Sequence, residues 1–109
     1  MMEFFKQSEV KTEELGGGVR RKIYGTDDRI MMVIVEFDKD AIGTPHAHPH
    51  SQVTYVQKGS FKVTIGDKTD VLKQGDGFYA RPDVQHGVVA LEEGALIDVF
   101  SPMREDFVK

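Results

Sequence analysis

The chain contains no cysteine. That removes disulfide scaffolds, thiolate metal sites and cysteine nucleophiles together, so any bound metal must be held by nitrogen and oxygen. Long hydrophobic runs are missing too. The longest purely apolar stretch, Ile30 to Val35, is far too short to span a bilayer. The opening Met1-Met2-Glu3-Phe4-Phe5-Lys6 lacks the apolar segment of a signal peptide, and a cytoplasmic location is the expectation. No sign of charge dominates: the formal net charge is −4 with both signs mixed throughout, which offers nucleic acid and membrane surfaces nothing to recognise. No repeat, linker or low-complexity segment interrupts the 109 residues, which are expected to form one domain with a single modest core. Helical stripes of useful length are absent as well, leaving at most a short C-terminal turn near Arg104 to Val108.

What is present has the period of strands. Phe61, Val63 and Ile65 alternate with Ser60, Lys62 and Thr64, giving one apolar and one polar face. Gly66-Asp67 then reverses the chain into Lys68 to Lys73, a hairpin signature. Gln74-Gly75-Asp76 turns it again into Gly77 to Arg81. Pro82-Asp83 ends that strand, His86 to Leu91 reads as the next, and Glu92-Glu93-Gly94 leads into Ala95 to Phe100. Upstream, Val19 to Tyr24 and Ile30 to Phe37 flank Gly25-Thr26-Asp27-Asp28. Many short strands at regular spacing predict an all-β sandwich or barrel. The segment Ile30 to Val35 does not alternate, so both of its faces call for burial. Either the N-terminal segment or a second subunit would cover the outer one, and a homodimer is the preferred expectation.

The most informative stretch is Pro45-His46-Ala47-His48-Pro49-His50-Ser51-Gln52, which holds three of the four histidines. If it is extended, His46, His48 and Gln52 share parity and one strand face. Two imidazoles and an amide oxygen on one side make a partial metal site, which the distant His86 would complete. His50 has the same parity, but Pro49 bends the chain before it, which assigns it a supporting place. Tyr55 has the opposite parity to Gln52 and is expected to pack rather than react. A third constellation is Asp98 to Phe107. An inward Asp98 in an otherwise apolar strand is costly unless paired or functional. Arg104 follows Pro102, where its guanidinium fork would suit a carboxylate over the barrel mouth, or would simply pair with Asp98 to pin the C-terminus.

The spacings Asp40-x5-His46-x-His48-x3-Gln52-x6-Gly59 and Gly75-Asp76-x5-Pro82-x3-His86 resemble the two motifs of the cupin superfamily. The likeness runs from about Val19 through Phe107. It implies a small jelly-roll barrel of antiparallel strands, with a core near 19–101 and a short C-terminal segment, 102–109. Two positions depart from the common pattern. Asp40 stands where glycine is usual, a residue that tolerates the left-handed conformation. Gln52 replaces the usual glutamate ligand, which leaves a bound cation less compensated and a stronger Lewis acid.

Taken together, HAHPHSQVTYV, the upstream Gly18 to Ile23 and the downstream LIDVFSPMREDF resemble the pectin-degradation cupin family KdgF, which keeps glutamine at that position. That resemblance implies opening of the ring of 4,5-unsaturated monouronates to the linear keto-uronate, on a small anionic sugar-acid substrate. By it, His46, His48, Gln52 and His86 correspond to the metal ligands, and Asp98, Phe100 and Arg104 to the catalytic or substrate-binding set. The cofactor would be one divalent transition ion per chain: nickel, zinc, iron, manganese or copper. A metal-dependent cupin dioxygenase and a non-catalytic sugar- or metal-binding cupin stand as the alternatives.

Overall fold

Among residues 3–108, which the computed structural model describes, the alternation becomes ten strands and one terminal turn of helix. In chain order these are β1 (Glu13–Gly16), β2 (Val19–Thr26), β3 (Met31–Phe37), β4 (Ile42–His46), β5 (Ser51–Lys58), β6 (Ser60–Ile65), β7 (Lys68–Lys73), β8 (Gly77–Ala80), β9 (His86–Ala90), β10 (Gly94–Ser101) and α1 (Glu105–Val108). A six-stranded sheet runs β1-β2-β3-β10-β5-β8, and a four-stranded sheet runs β4-β9-β6-β7. Every ladder is antiparallel. The all-β cupin jelly roll expected from the strand pattern and the two motifs is the observed architecture.

The inward residues of the two sheets form the core. Phe61, fully buried, meets Phe37 edge-on at 5.2 Å between ring centroids, with Val56, Val63 and Leu96 around them. Burying one such side chain contributes about 1.5–3 kcal/mol. A second cluster, Met31, Val33 and Phe100, lies where Met103 and Phe107 fold back from the C-terminus. Strand ends differ from the alternation by one or two residues, as ladders extend past the last apolar position. Strand β1 carried no such signal. Its Glu13-Glu14-Leu15-Gly16 is mostly polar because it is an edge, tied to β2 by the Arg21 Nε donating to Glu13 at 3.2 Å.

One expectation is corrected. His46, His48 and Gln52 do not share one extended strand. The chain leaves β4 at His46, crosses residues 47–50 outside any strand, and enters the opposite sheet at Ser51. Pro49 has no N–H to offer a ladder, so pairing cannot run through the crossing.

The non-alternating Ile30 to Val35 is explained by the two faces of β3. Met31 and Val33 are fully buried inside, whereas Met32 points outward at 39 % exposure. Across the outer face Met32 stands opposite Val99, Val99 opposite Val53, and Val53 opposite Tyr79, an apolar row over four strands. At the margin of this face the Phe5 ring of the N-terminal segment packs over Gly25.

Two backbone features place the site. Asp40 adopts the left-handed conformation with φ 69°, as expected of a residue standing in for glycine. Gly87 lets β4 and β9 close up: a Cβ there would lie 2.9 Å from Pro45 Cγ and 3.0 Å from Pro45 N. Since the neighbours of those two residues are His46 and His86, Gly87→Ala should separate the histidines. It should cost about 1–3 kcal/mol in urea denaturation, the range of an overpacked site. An unchanged midpoint would show that the strands give way freely.

Candidate metal centre

Four side chains from three elements and a loop converge. His46 ends β4 directly opposite His86, which begins β9. His48 comes from the crossing, anchored by the Asp83 N–H donating to its carbonyl at 2.8 Å. Gln52 points inward from β5 beside Phe100 of β10, and Thr54 stands opposite Asp98 in the same ladder. One nitrogen from each of His46, His48 and His86 lies within 4.8 Å of the others, a set able to hold a metal ion. Gln52 Oε1 is 3.1 Å from both His48 Nε2 and His86 Nε2. The four positions expected as ligands are therefore brought together, although by a different route through the chain.

Hydrogen bonding decides what these atoms offer. The Nδ1 of His46 lies 2.9 Å from the Thr44 carbonyl, and that of His86 lies 3.0 Å from the Val84 carbonyl. A carbonyl only accepts, so each Nδ1 carries a proton, and Nε2 is the nitrogen left to offer a lone pair to a metal. The amide nitrogen of Gln52 donates to Thr54 Oγ1 at 2.9 Å and to Asp98 Oδ1 at 3.3 Å, which turns its oxygen toward the imidazoles. At His86 two electron-pair donors thus face each other at 3.1 Å with no proton between them. A divalent cation at that point would draw on both. Burial, reinforced by the charge of Arg104, lowers the His48 pKa from 6.5 to about 4, and burial lowers that of His86 as well. Both rings stay neutral, the form that binds metal. His48 Nδ1 is buried with no hydrogen-bond partner. Nitrogen and neutral oxygen donors fit a divalent transition ion.

Beside this cluster lies Asp98. Burial raises its pKa from 3.8 to about 6, against the opposing pull of the Thr54 hydrogen bond and the Arg104 charge. Thr54 Oγ1 donates to its Oδ1 at 2.7 Å; among the described residues no hydrogen bond reaches Oδ2. The ion pair between Asp98 and Arg104 does not form. Arg104 instead donates Nε and Nη2 to the two carboxylate oxygens of Asp106, at 3.1 and 2.9 Å. Its guanidinium lies 4.4 Å over the Phe107 ring and 5.4 Å over that of Phe100. His46, Gln52, His86, Asp98, Phe100 and Arg104 all line one cavity of about 170 Å³. That is smaller than the roughly 300 Å³ at which pockets for drug-sized ligands begin, so it suits a small molecule. A larger cleft of about 500 Å³ between β7 and β8 contains no histidine.

His50 is not one of the three histidines whose ring nitrogens come within 4.8 Å of one another; its ring packs edge-on against that of His48 at 5.3 Å. Tyr55 faces outward at 49 % exposure and so packs on neither the core nor the site. Two participants were not singled out in the sequence. Thr54 shares the inward parity of Gln52, and a polar residue there, between Gln52 and Val56, was the available signal. Phe107 is held between Arg104 and Arg21, whose guanidinium is 4.0 Å from its centroid; nothing local marked that contact.

Residues 33–100 match the family described as Cupin domain. The chain is 51 % identical over 110 residues to the pectin degradation protein KdgF of Dickeya dadantii, covering 99 % of this chain and 100 % of that protein. Among solved structures it is similar to an RmlC-like cupin from Shewanella frigidimarina, with TM-score 0.96 and 44 % identity over 98 % of this chain and 96 % of the other. KdgF from Halomonas sp. superposes with TM-score 0.93 at 39 % identity, over 98 % of this chain and 99 % of that one.

The site also dictates a pH response. The folded pKa values of His48 and His86 lie below the unfolded value of 6.5, so their contribution is complete above that pH and is lost as pH falls below it, for His48 through about 4. Asp98, raised from 3.8 to about 6, acts oppositely: its contribution is complete below 3.8 and is lost as pH rises through 6. Two imidazoles against one carboxylate should leave metal-free protein less stable on acidification from pH 6.5 to 4. Asp98→Asn should steepen that loss in thermal melts. A flat profile, or a shallower one in the variant, would contradict the assignment.

Proposed function

The chain belongs to the cupin family, and from that premise we propose that it is a metal-dependent enzyme opening the ring of 4,5-unsaturated monouronates to the linear keto-uronate. The observation that carries this reading is a single cavity. It brings the imidazoles of His46 and His86, an amide oxygen, a buried carboxylate and a guanidinium together, with a ring nitrogen of His48 within 4.8 Å of the other two, in a chain that is 51 % identical along its length to a KdgF protein.

Ring opening is an isomerisation. The anomeric hydroxyl gives up its proton, the bond between the anomeric carbon and the ring oxygen breaks, and the enol left behind takes a proton on the neighbouring alkene carbon to become the ketone. No oxidant or reductant enters. Asp98 is the group that accepts and returns the proton, through the Oδ2 that no protein donor occupies. Arg104 binds the substrate carboxylate with its fork, taking the place of Asp106. Phe100 walls the ring from the side of β10. His46, His48, Gln52 and His86 would hold one divalent ion, nickel, zinc, iron, manganese or copper, which when bound would supply Lewis acidity.

The apolar outer row Met32, Val99, Val53 and Tyr79 supports a homodimer in which each copy covers the same row of the other. The enzyme is one domain acting in the cytoplasm on a free sugar acid, without nucleic acid or membrane partners. Among the described residues no helix is long and apolar enough to cross a membrane.

Purified protein mixed with unsaturated galacturonate should speed the loss of the double-bond absorbance. No acceleration by metal-loaded protein would remove the proposal. Asp98→Asn should lower turnover by roughly a hundredfold or more, the usual share of a general acid–base group, with metal content unchanged; full activity would make Asp98 structural. Arg104→Lys keeps the charge but loses the fork and should raise KM about tenfold. Sedimentation of Val53→Glu should show monomers where the parent chain forms dimers, and dimers in both would place the interface elsewhere.

A further inference from the structure

Thr54 is almost completely buried, at 1 % exposure, on the inward face of β5 where packing alone would favour valine. Its hydroxyl has one proton, and that proton goes to Asp98 Oδ1 at 2.7 Å. Toward Gln52 the same oxygen can only accept. Asp98 Oδ1 is likewise an acceptor toward Gln52, at 3.3 Å, and remains one whether or not Oδ2 carries a proton. The inner end of residue 52 is therefore met by two acceptors, and the amide has two N–H groups to give them. The ladder holds the three residues in place: Thr54 pairs with Asp98, and Gln52 with the Phe100 that follows Asp98 by two positions.

We infer that Thr54 and Asp98 are positioning residues that restrict position 52 to an amide and fix its oxygen toward the imidazoles. The inference rests on the metal-centre reading only for what that oxygen faces. Turning the amide over would set its oxygen against both acceptors, and its N–H groups would take up the imidazole lone pairs that a metal ion needs. A glutamate would bring a second carboxylate to within about one hydrogen bond of Asp98, with both residues less than a tenth exposed. An ionised glutamate has no N–H to give, so Thr54 Oγ1 and Asp98 Oδ1 would each be left facing another acceptor. An amide at position 52 is thus the consequence of the two acceptors already fixed behind it.

The test needs no turnover. Melting temperatures of metal-free wild type, Gln52→Glu, Asp98→Asn and the double variant form a cycle. Gln52→Glu should lower the melting temperature by about 8–15 °C, and adding Asp98→Asn should restore most of it, because the new amide donates to the new carboxylate. Shifts that merely add would overturn the inference. If Gln52→Glu fails to fold, a folded double variant supports it and an unfolded one overturns it. Calorimetric titration with zinc ion gives the second arm. Thr54→Val should weaken binding about tenfold or more while Thr54→Ser keeps it, as expected for a group that orients a ligand. Equal affinity in Thr54→Val would overturn the orienting role. If wild type binds no zinc, nickel, manganese, iron or copper, the metal-centre reading fails, and the melting cycle alone still decides the pairing.

Discussion

The arrangement at the barrel mouth depends on the two hydrogen bonds that leave the amide nitrogen of Gln52 for Thr54 and Asp98. They decide which end of the side chain meets the histidines. They also occupy one oxygen of Asp98 and leave the other facing the cavity. The backbone carbonyls of Thr44 and Val84 do the same for His46 and His86 by claiming Nδ1. His46, His86 and Gln52 have thus each been given a direction by a partner behind them, while His48 Nδ1 has none. Such preorganisation spares the reorganisation that water would otherwise demand when charge develops.

Those directions are held by paired strands, whereas the C-terminal turn beside them is held by side-chain packing. Gln52, Thr54, Asp98 and Phe100 sit on two central strands of the larger sheet, and His46 and His86 face each other across a ladder of the smaller one. The C-terminal turn α1 has four residues, far below the length at which a helix is stable alone, and depends on packing Phe107 against Phe100 and between two guanidinium groups. The ion pair of Arg104 with Asp106 has a buried and an exposed partner, with side-chain exposures of 11 % and 61 %. Pairs with one solvent-exposed partner contribute little, about 0–1 kcal/mol, so exchange of Asp106 for a ligand carboxylate costs the protein little.

Much of this was legible in the sequence, and for identifiable reasons. Strands such as Phe61-Lys62-Val63-Thr64-Ile65 bury one face, and burial writes itself as period two. The left-handed Asp40 follows from a local backbone requirement, which sequence also records, and the joining of His86 to His46 was legible through the resemblance of the two motifs. What escaped is what depends on contacts between distant segments. Parity put His48 on a strand, whereas the chain changes sheets there. Charge pattern alone paired Arg104 with Asp98, whereas Asp106 lies nearer on the same turn and both of its oxygens meet the fork. Thr54 was silent because a buried threonine resembles any strand residue until its hydroxyl is given an acceptor.

The central claim is that three imidazoles and one amide oxygen form a single metal centre. Elemental analysis after equilibrium dialysis of metal-free protein against a divalent transition ion tests it most directly. The account predicts one ion per chain in the wild type and loss of that ion in His86→Ala with the fold retained by circular dichroism. Binding of no ion, or binding that survives His86→Ala undiminished, would contradict it.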